Sequence, residues 1–168
     1  MKRRSLAAGF TLVEMSVVIA VLAVVLAIAL PSFLKMRMVS NETAVIEGMR
    51  AVHMACENHR MAGTAGGGVG EYPLWLRTLT ASNPPYLDGR FNALVNGAWR
   101  GYRWIYTPGP QRQQAVGAMA FAFRDTYTLR SDPATRGLDG QRSFYMDQTG
   151  IIRFNARGPA GPASPEAQ

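Results

Sequence analysis

The sequence predicts an α+β protein in which a long N-terminal helix crosses a membrane, continues as an amphipathic helix and packs on a small antiparallel β-sheet. Three observations carry that prediction. From Phe10 to Leu34 the only charged residue is Glu14; as a helix rising ~1.5 Å per residue the stretch is about 37 Å long, enough for a hydrocarbon core of about 30 Å. Val45, Met49, Val52 and Cys56 then recur at helical spacing and form one apolar stripe. Beyond Gly101 the apolar residues change to alternation, the period of half-buried strands.

A length of 168 residues fits one domain with something attached. The formal charge is +7, but Lys2, Arg3 and Arg4 precede the apolar run and the remaining cations are scattered. Such a distribution is a weak footprint for nucleic acid. Cys56 is the only cysteine, so an intrachain disulfide is excluded and the part beyond the span must hold together by packing. The few histidines and acids offer no Ser/His/Asp set and no carboxylate pair, so nothing points to an enzyme.

The start "MKRRSLAAGFTLVE" admits three readings: a plain signal anchor, a secretory signal peptide cut after the Ala27-Ile28-Ala29 triplet, or a leader cut between Gly9 and Phe10. Glu14 separates them. A carboxylate at the centre of a membrane helix costs about 2.5–3.5 kcal/mol, and the first two readings give it no purpose. In the third, cleavage creates an α-amine on Phe10, four residues before Glu14, that can serve as counter-charge.

"GFTLVE" after a short basic leader resembles the type III signal of type IV prepilins and type II secretion pseudopilins. Pro31 falls where that family often carries a proline, and "KMRMVSNETAVIEGMR" is similar to the helix that follows the span in many pilin-like subunits. Met15 stands where Leu, Val or Ile is usual, and keeps the apolar character. The resemblance covers roughly residues 2–60. It implies a prepilin peptidase that cleaves Gly9–Phe10 and N-methylates Phe10, and a Glu14 that pairs with the N-terminal amine of a neighbouring subunit. An uncompensated buried carboxylate is costly, so that pairing would set the register of assembly. It further implies other pilin or pseudopilin subunits and an inner-membrane assembly platform as partners, and a single-pass protein with its N-terminus cytoplasmic and its head periplasmic; from the residues themselves no cofactor is expected. Residues 1–9 are then a cleaved leader, 10–34 the transmembrane assembly helix and 35–156 a pilin-like head with its arm helix at 35–60. "RGPAGPASPEAQ" (157–168) reads as a disordered tail. Two alternatives belong to other classes: an exported soluble binding protein released near Ala29, and a DNA-binding minor pilin of an uptake system.

Pro31, in the membrane helix, cannot donate to the carbonyl of Ala27, so the helix is expected to bend or loosen there. The stripe continues to about Arg60, with Cys56 a buried thiol. "GTAGGGVG" (63–70) ends the helix; it lacks a GK[ST] ending and reads as a connection rather than a phosphate loop. "YPLWLRTL" (72–79) suggests a short helical turn and "SNPPYLDG" a loop. "GYRWIYT" (101–107) alternates Tyr102, Trp104 and Tyr106. In "AMAFAFRDTYTLR" (118–130) Met119, Phe121, Phe123, Tyr127 and Leu129 share one face of a single strand. "RSFYMDQTGIIRFN" (142–155) reads as a hairpin turning at Gln148–Gly150. Three or four strands are expected in all.

Other chemistry finds little support. His53, Cys56 and His59 have an H-x-x-C-x-x-H spacing, but on a helix the outer two diverge and a fourth ligand is lacking. Asp132 and Asp139, with Asp147, are the candidates for a calcium loop; calcium takes six to eight oxygens, and Arg130 and Arg136 beside them favour turn residues instead. The Arg–aromatic stretches could stack on single-stranded nucleic acid, yet they also fit the two faces of alternating strands.

The leader motif generates a direct expectation. Glycine lets the backbone enter a protease cleft without a side-chain clash. Gly9→Leu should leave the full-length precursor in the membrane, read by intact mass. A normal mature mass from that variant would displace the cleavage site.

Overall fold

The computed structural model describes residues 10–167, and the chain divides into two compact units at Met36/Arg37. Helix α1 runs from Leu12 to Met61 without interruption, Pro31 included. Its apolar side chains as far as Phe33 are exposed, among them Leu12, Val18, Leu22, Leu26 and Leu30. A helix apolar on every side suits lipid rather than water.

In the second unit α1 is amphipathic, and the stripe read from the sequence is the buried one. Val45, Met49, Val52 and Cys56 are each 0% exposed. They pack on a five-stranded antiparallel sheet of order β1-β2-β5-β6-β7. The strands are β1 (Ala98–Trp99), β2 (Tyr102–Pro108), β5 (Tyr127–Pro133), β6 (Ser143–Asp147) and β7 (Arg153–Asn155). The register sets Tyr106 beside Leu129, Leu129 beside Met146, and Phe144 beside Phe154. This layer meets the helix stripe to form the core. Gly48 permits the approach: a Cβ there would lie 2.8 Å from the Trp99 ring and 3.1 Å from Trp104. Short helices α2 (Arg77–Ala81) and α3 (Asn92–Val95), with a 3-10 turn at Gly89–Phe91, add Leu79, Phe91 and Leu94 to the core.

Three expectations need correction. The stretch 118–130 is two strands, not one. Met119–Phe123 (β4) pairs only with Arg112–Val116 (β3) in a separate two-stranded sheet, while Tyr127–Pro133 joins the main sheet. Between them Arg124, Asp125 and Thr126 leave the ladder: the Tyr72 N–H donates to the Arg124 carbonyl, the Gly109 N–H donates to the Thr126 carbonyl, and Asp125 pairs with Arg112 at 2.8 Å. Alternation resumes in phase after this interruption, so the pattern hides it. The strand total also exceeds expectation, because β1 is two residues long and β3 (RQQAV) has no apolar alternation.

The segment 157–167, expected as disordered, is docked. The Phe154 N–H donates to the Pro165 carbonyl at 2.9 Å and the Ala167 N–H to the Ile152 carbonyl at 2.8 Å, with an antiparallel bridge between Arg153 and Glu166. Arg136 donates to the carbonyls of Ala156 and Gly158, and Ala160 is buried. A Pro/Gly-rich segment lacks helix and strand signals but can still follow an edge whose free backbone groups need partners.

Polar contacts from Glu42 and Asn41 join α1 to the β5–β6 loop. The nearly buried Glu42 carboxylate accepts from the N–H groups of Gln141 and Arg142 at 2.8 and 3.0 Å and from Arg142 Nε at 2.7 Å. Asn41 Nδ2 donates to the Asp139 carbonyl beside it. Glu42→Ala strands these donors and should destabilise the head by about 2–3 kcal/mol, less than for a fully buried pair because the Arg142 side chain keeps 36% of its surface in water. Urea unfolding of the detergent-solubilised chain, followed by fluorescence of Trp99 and Trp104, measures this; an unchanged midpoint would mean that the contact is not stabilising.

Candidate functional site

The residues around Phe10 and Glu14 form a local unit at the start of α1. Gly9, the expected last residue of the leader, lies outside the described residues. Phe10 is 73% exposed and precedes Thr11, the residue just before the helix. The first amides of a helix have no partners within it. Here the Thr11 hydroxyl oxygen accepts from the Glu14 N–H at 3.2 Å. In return Glu14 Oε2 accepts from the Thr11 N–H at 2.8 Å and from the Thr11 hydroxyl at 2.7 Å.

This reciprocal pair is a capping box, Thr and Glu three residues apart at a helix N-terminus. The T-x-x-E spacing is legible in the sequence, but a reading of Glu14 as an isolated charge passes over it. Chemically, the box gives the carboxylate polar partners in an otherwise apolar segment. It occupies Oε2, and none of these bonds uses Oε1. A free amine on Phe10, or on a neighbouring chain, therefore has an oxygen to meet while the cap stays formed.

The other candidates fall into separate environments. His53 Nδ1 lies 2.8 Å from the Tyr127 hydroxyl, and His59 Nδ1 lies 3.0 Å from the Glu71 carbonyl. Cys56 between them is a free, buried thiol, pushed up well above its ordinary pKa by burial and then by the Glu57 charge. Asp132 bonds Arg130 at 3.0 Å, Asp139 accepts from the Thr135 N–H at 3.0 Å, and Asp147 accepts from the Thr149 N–H at 2.9 Å. Asp139 and Asp147 thus brace their own turns. Among the described residues no group of three or more His, Cys, Asp or Glu side chains is placed to hold a metal. Tyr102, Trp104 and Tyr127, considered as stacking platforms, are core residues. The polar groups that organise this region are Glu42, Arg142 and Arg136, whose guanidinium spans the 135–141 loop, β6 and the C-terminal segment. Isolated arginines in a loop sequence give no signal for such roles.

Thr11→Ala removes half of the box and leaves the carboxylate in place. Loss of an N-cap hydroxyl costs about 1 kcal/mol of helix stability. Amide hydrogen exchange in micelles should accelerate over residues 12–14 and stay unchanged from Val45 onward; uniform exchange would show that the box does not hold the helix start.

No curated protein and no solved structure matches the chain. Residues 4–30 match the family described as the prokaryotic N-terminal methylation motif, so the chain carries at its start a motif consistent with type IV pilins and pseudopilins.

Proposed function

We propose that this chain is the precursor of a structural subunit of a type IV pilus or type II secretion pseudopilus. A prepilin peptidase cleaves it between Gly9 and Phe10 and methylates the new amine of Phe10. The observation that carries the reading is the methylation motif at residues 4–30, overlapping a helix whose only charge from Leu12 to Leu34 is Glu14. The apolar helix is long enough to hold the subunit in the inner membrane. The leader stays on the cytoplasmic side with its peptidase, and the head lies in the periplasm.

In the free subunit the capping box supplies polar partners to Glu14. On assembly the carboxylate meets the amine of a neighbour, and both charges are neutralised as the helices pack. A subunit docked out of register buries a charge alone, which costs about 3–5 kcal/mol for a broken buried pair. Register is thereby selected by electrostatics, whereas apolar contacts alone discriminate weakly between neighbouring positions. Release near Ala29, the soluble alternative, would cut inside an uninterrupted α1.

Intact mass of the membrane-extracted protein tests the reading. A chain starting at Phe10 and carrying one methyl group supports it, and an N-terminus at Leu30 sinks it. Two variants then separate charge from cap. Glu14→Val removes both, whereas Glu14→Gln removes the charge and keeps a side chain able to complete the box. Both should be cleaved and retained in the membrane, and both should lose sheared-filament yield. Wild-type yield from either variant, expressed without the parent subunit, would show that Glu14 does not set the register.

A further inference from the structure

One end of the second unit gathers arginines that few acids neutralise. It is the end at which the chain enters, since the unit starts at Arg37. Asn41 and Glu42 bind the 134–142 loop to the first turns of the unit's helix. The β1–β2 turn is bound to that loop in its turn, with the Ala134 N–H donating to the Gly101 carbonyl at 2.8 Å. Arg136 then holds residues 156–158 through the carbonyls of Ala156 and Gly158. These segments bring Arg37, Arg100, Arg136, Arg142 and Arg157 to one end, with only Glu42 and Asp139 as acids.

Glu42 is already matched by Arg142. Arg136 donates to carbonyls and to the Ser143 hydroxyl, neutral partners that leave its charge uncompensated. Arg37, Arg100 and Arg157 are exposed, and none of them forms an ion pair among the described residues. By contrast Arg60, Arg112, Arg124, Arg130 and Arg153 each have a carboxylate within 4.0 Å. Arg50, Arg77, Arg90 and Arg103 are also unpaired, and they lie outside these segments. Two details add to the charge. Arg100 has φ 53°, a conformation that Asn or Gly adopts at less cost in a tight hairpin. The turn keeps a cation there at that cost, its guanidinium 5.7 Å over the Trp99 ring. Leu138, in the loop between Arg136 and Arg142, is 45% exposed.

We propose that this end of the head binds the headgroups of anionic phospholipids in the membrane that holds the chain. Three features select that partner. Only Lys35 and Met36 separate Arg37 from the apolar run, so lipid phosphates are the anions at the highest effective concentration. The guanidinium fork matches phosphate oxygens, and Arg37, Arg100 and Arg157 have no carboxylate to give up first. An exposed leucine among arginines suits the boundary between headgroups and acyl chains, where apolar and cationic groups both find partners. The proposal rests on the membrane reading of α1 and adds to it a waiting state, in which the head is held at the bilayer until the subunit leaves it.

The test uses the full-length chain in lipid nanodiscs. Ala134→Cys places an exposed thiol on the loop for an environment-sensitive fluorophore, and Cys56 is buried. A thermal midpoint equal to the parent's verifies that each variant is folded. Discs of phosphatidylcholine alone are compared with discs that also contain phosphatidylglycerol. The anionic lipid should shift the emission to the blue and bring the fluorophore within reach of a headgroup spin-label quencher. Salt at about 1 M, which screens charge beyond about 3 Å, should reverse both effects. Arg100→Gln and Arg157→Gln should each lower the ratio of docked to free head about five-fold. The control pair Arg50→Gln and Arg77→Gln should leave that ratio unchanged. A labelled chain that stays in the discs and ignores phosphatidylglycerol overturns the proposal and leaves the membrane reading intact. A control pair that weakens docking as much overturns it too, in favour of overall charge. A chain that elutes apart from the discs removes the membrane reading, and the proposal with it.

Discussion

One helix has to satisfy two solvents, and much of the molecule follows from that constraint. Up to Phe33, α1 is apolar on every side, as lipid requires. From Lys35 onward it keeps a single stripe, Val45, Met49, Val52 and Cys56, and leaves residues such as Arg50 and Met54 exposed. Hydrocarbon makes no demand on side-chain position and so cannot align one such helix with another. In the first part the directional contacts are few, chiefly the reciprocal bonds of Thr11 and Glu14. In the second part position is set by packing.

The head has to close without a disulfide. Its core is a thin layer between one helix face and one sheet face, and the separation of the two is set locally by Gly48 against Trp99 and Trp104. Apolar contact alone would tolerate sliding of the helix along the sheet. The three donors gathered on Glu42 are directional, and they fix one end of the stripe to the loop that begins β6. Arg136 extends that fixation to the C-terminal segment.

Elements with a period were legible in the sequence. The helix stripe, the inward row of β2 and the β6–β7 hairpin turning near Gly150 all have spacings imposed by burial on one face. The break at Arg124–Thr126 was not, since it preserves the parity of Phe123 and Tyr127 while moving the chain from one sheet to another. β3 was invisible because both its faces meet solvent and no residue type was selected for burial. Of the candidate site, the T-x-x-E order of Thr11 and Glu14 was present in the sequence, but a reading of Glu14 as an isolated charge hid it. Glu42 and Arg142, about a hundred positions apart, were not legible: a charge pair that long-range leaves no local mark on either segment.

The docked C-terminal segment has a consequence for the margin of the sheet. β7 is the outermost strand on its side, and the Phe154 N–H and the Ile152 carbonyl are bonded to Pro165 and Ala167. Uncovered, those groups would be a template for any extended strand that met them. The covering segment carries Pro159, Pro162 and Pro165, which have no N–H to offer a further strand. It therefore seals the sheet on that side instead of extending it.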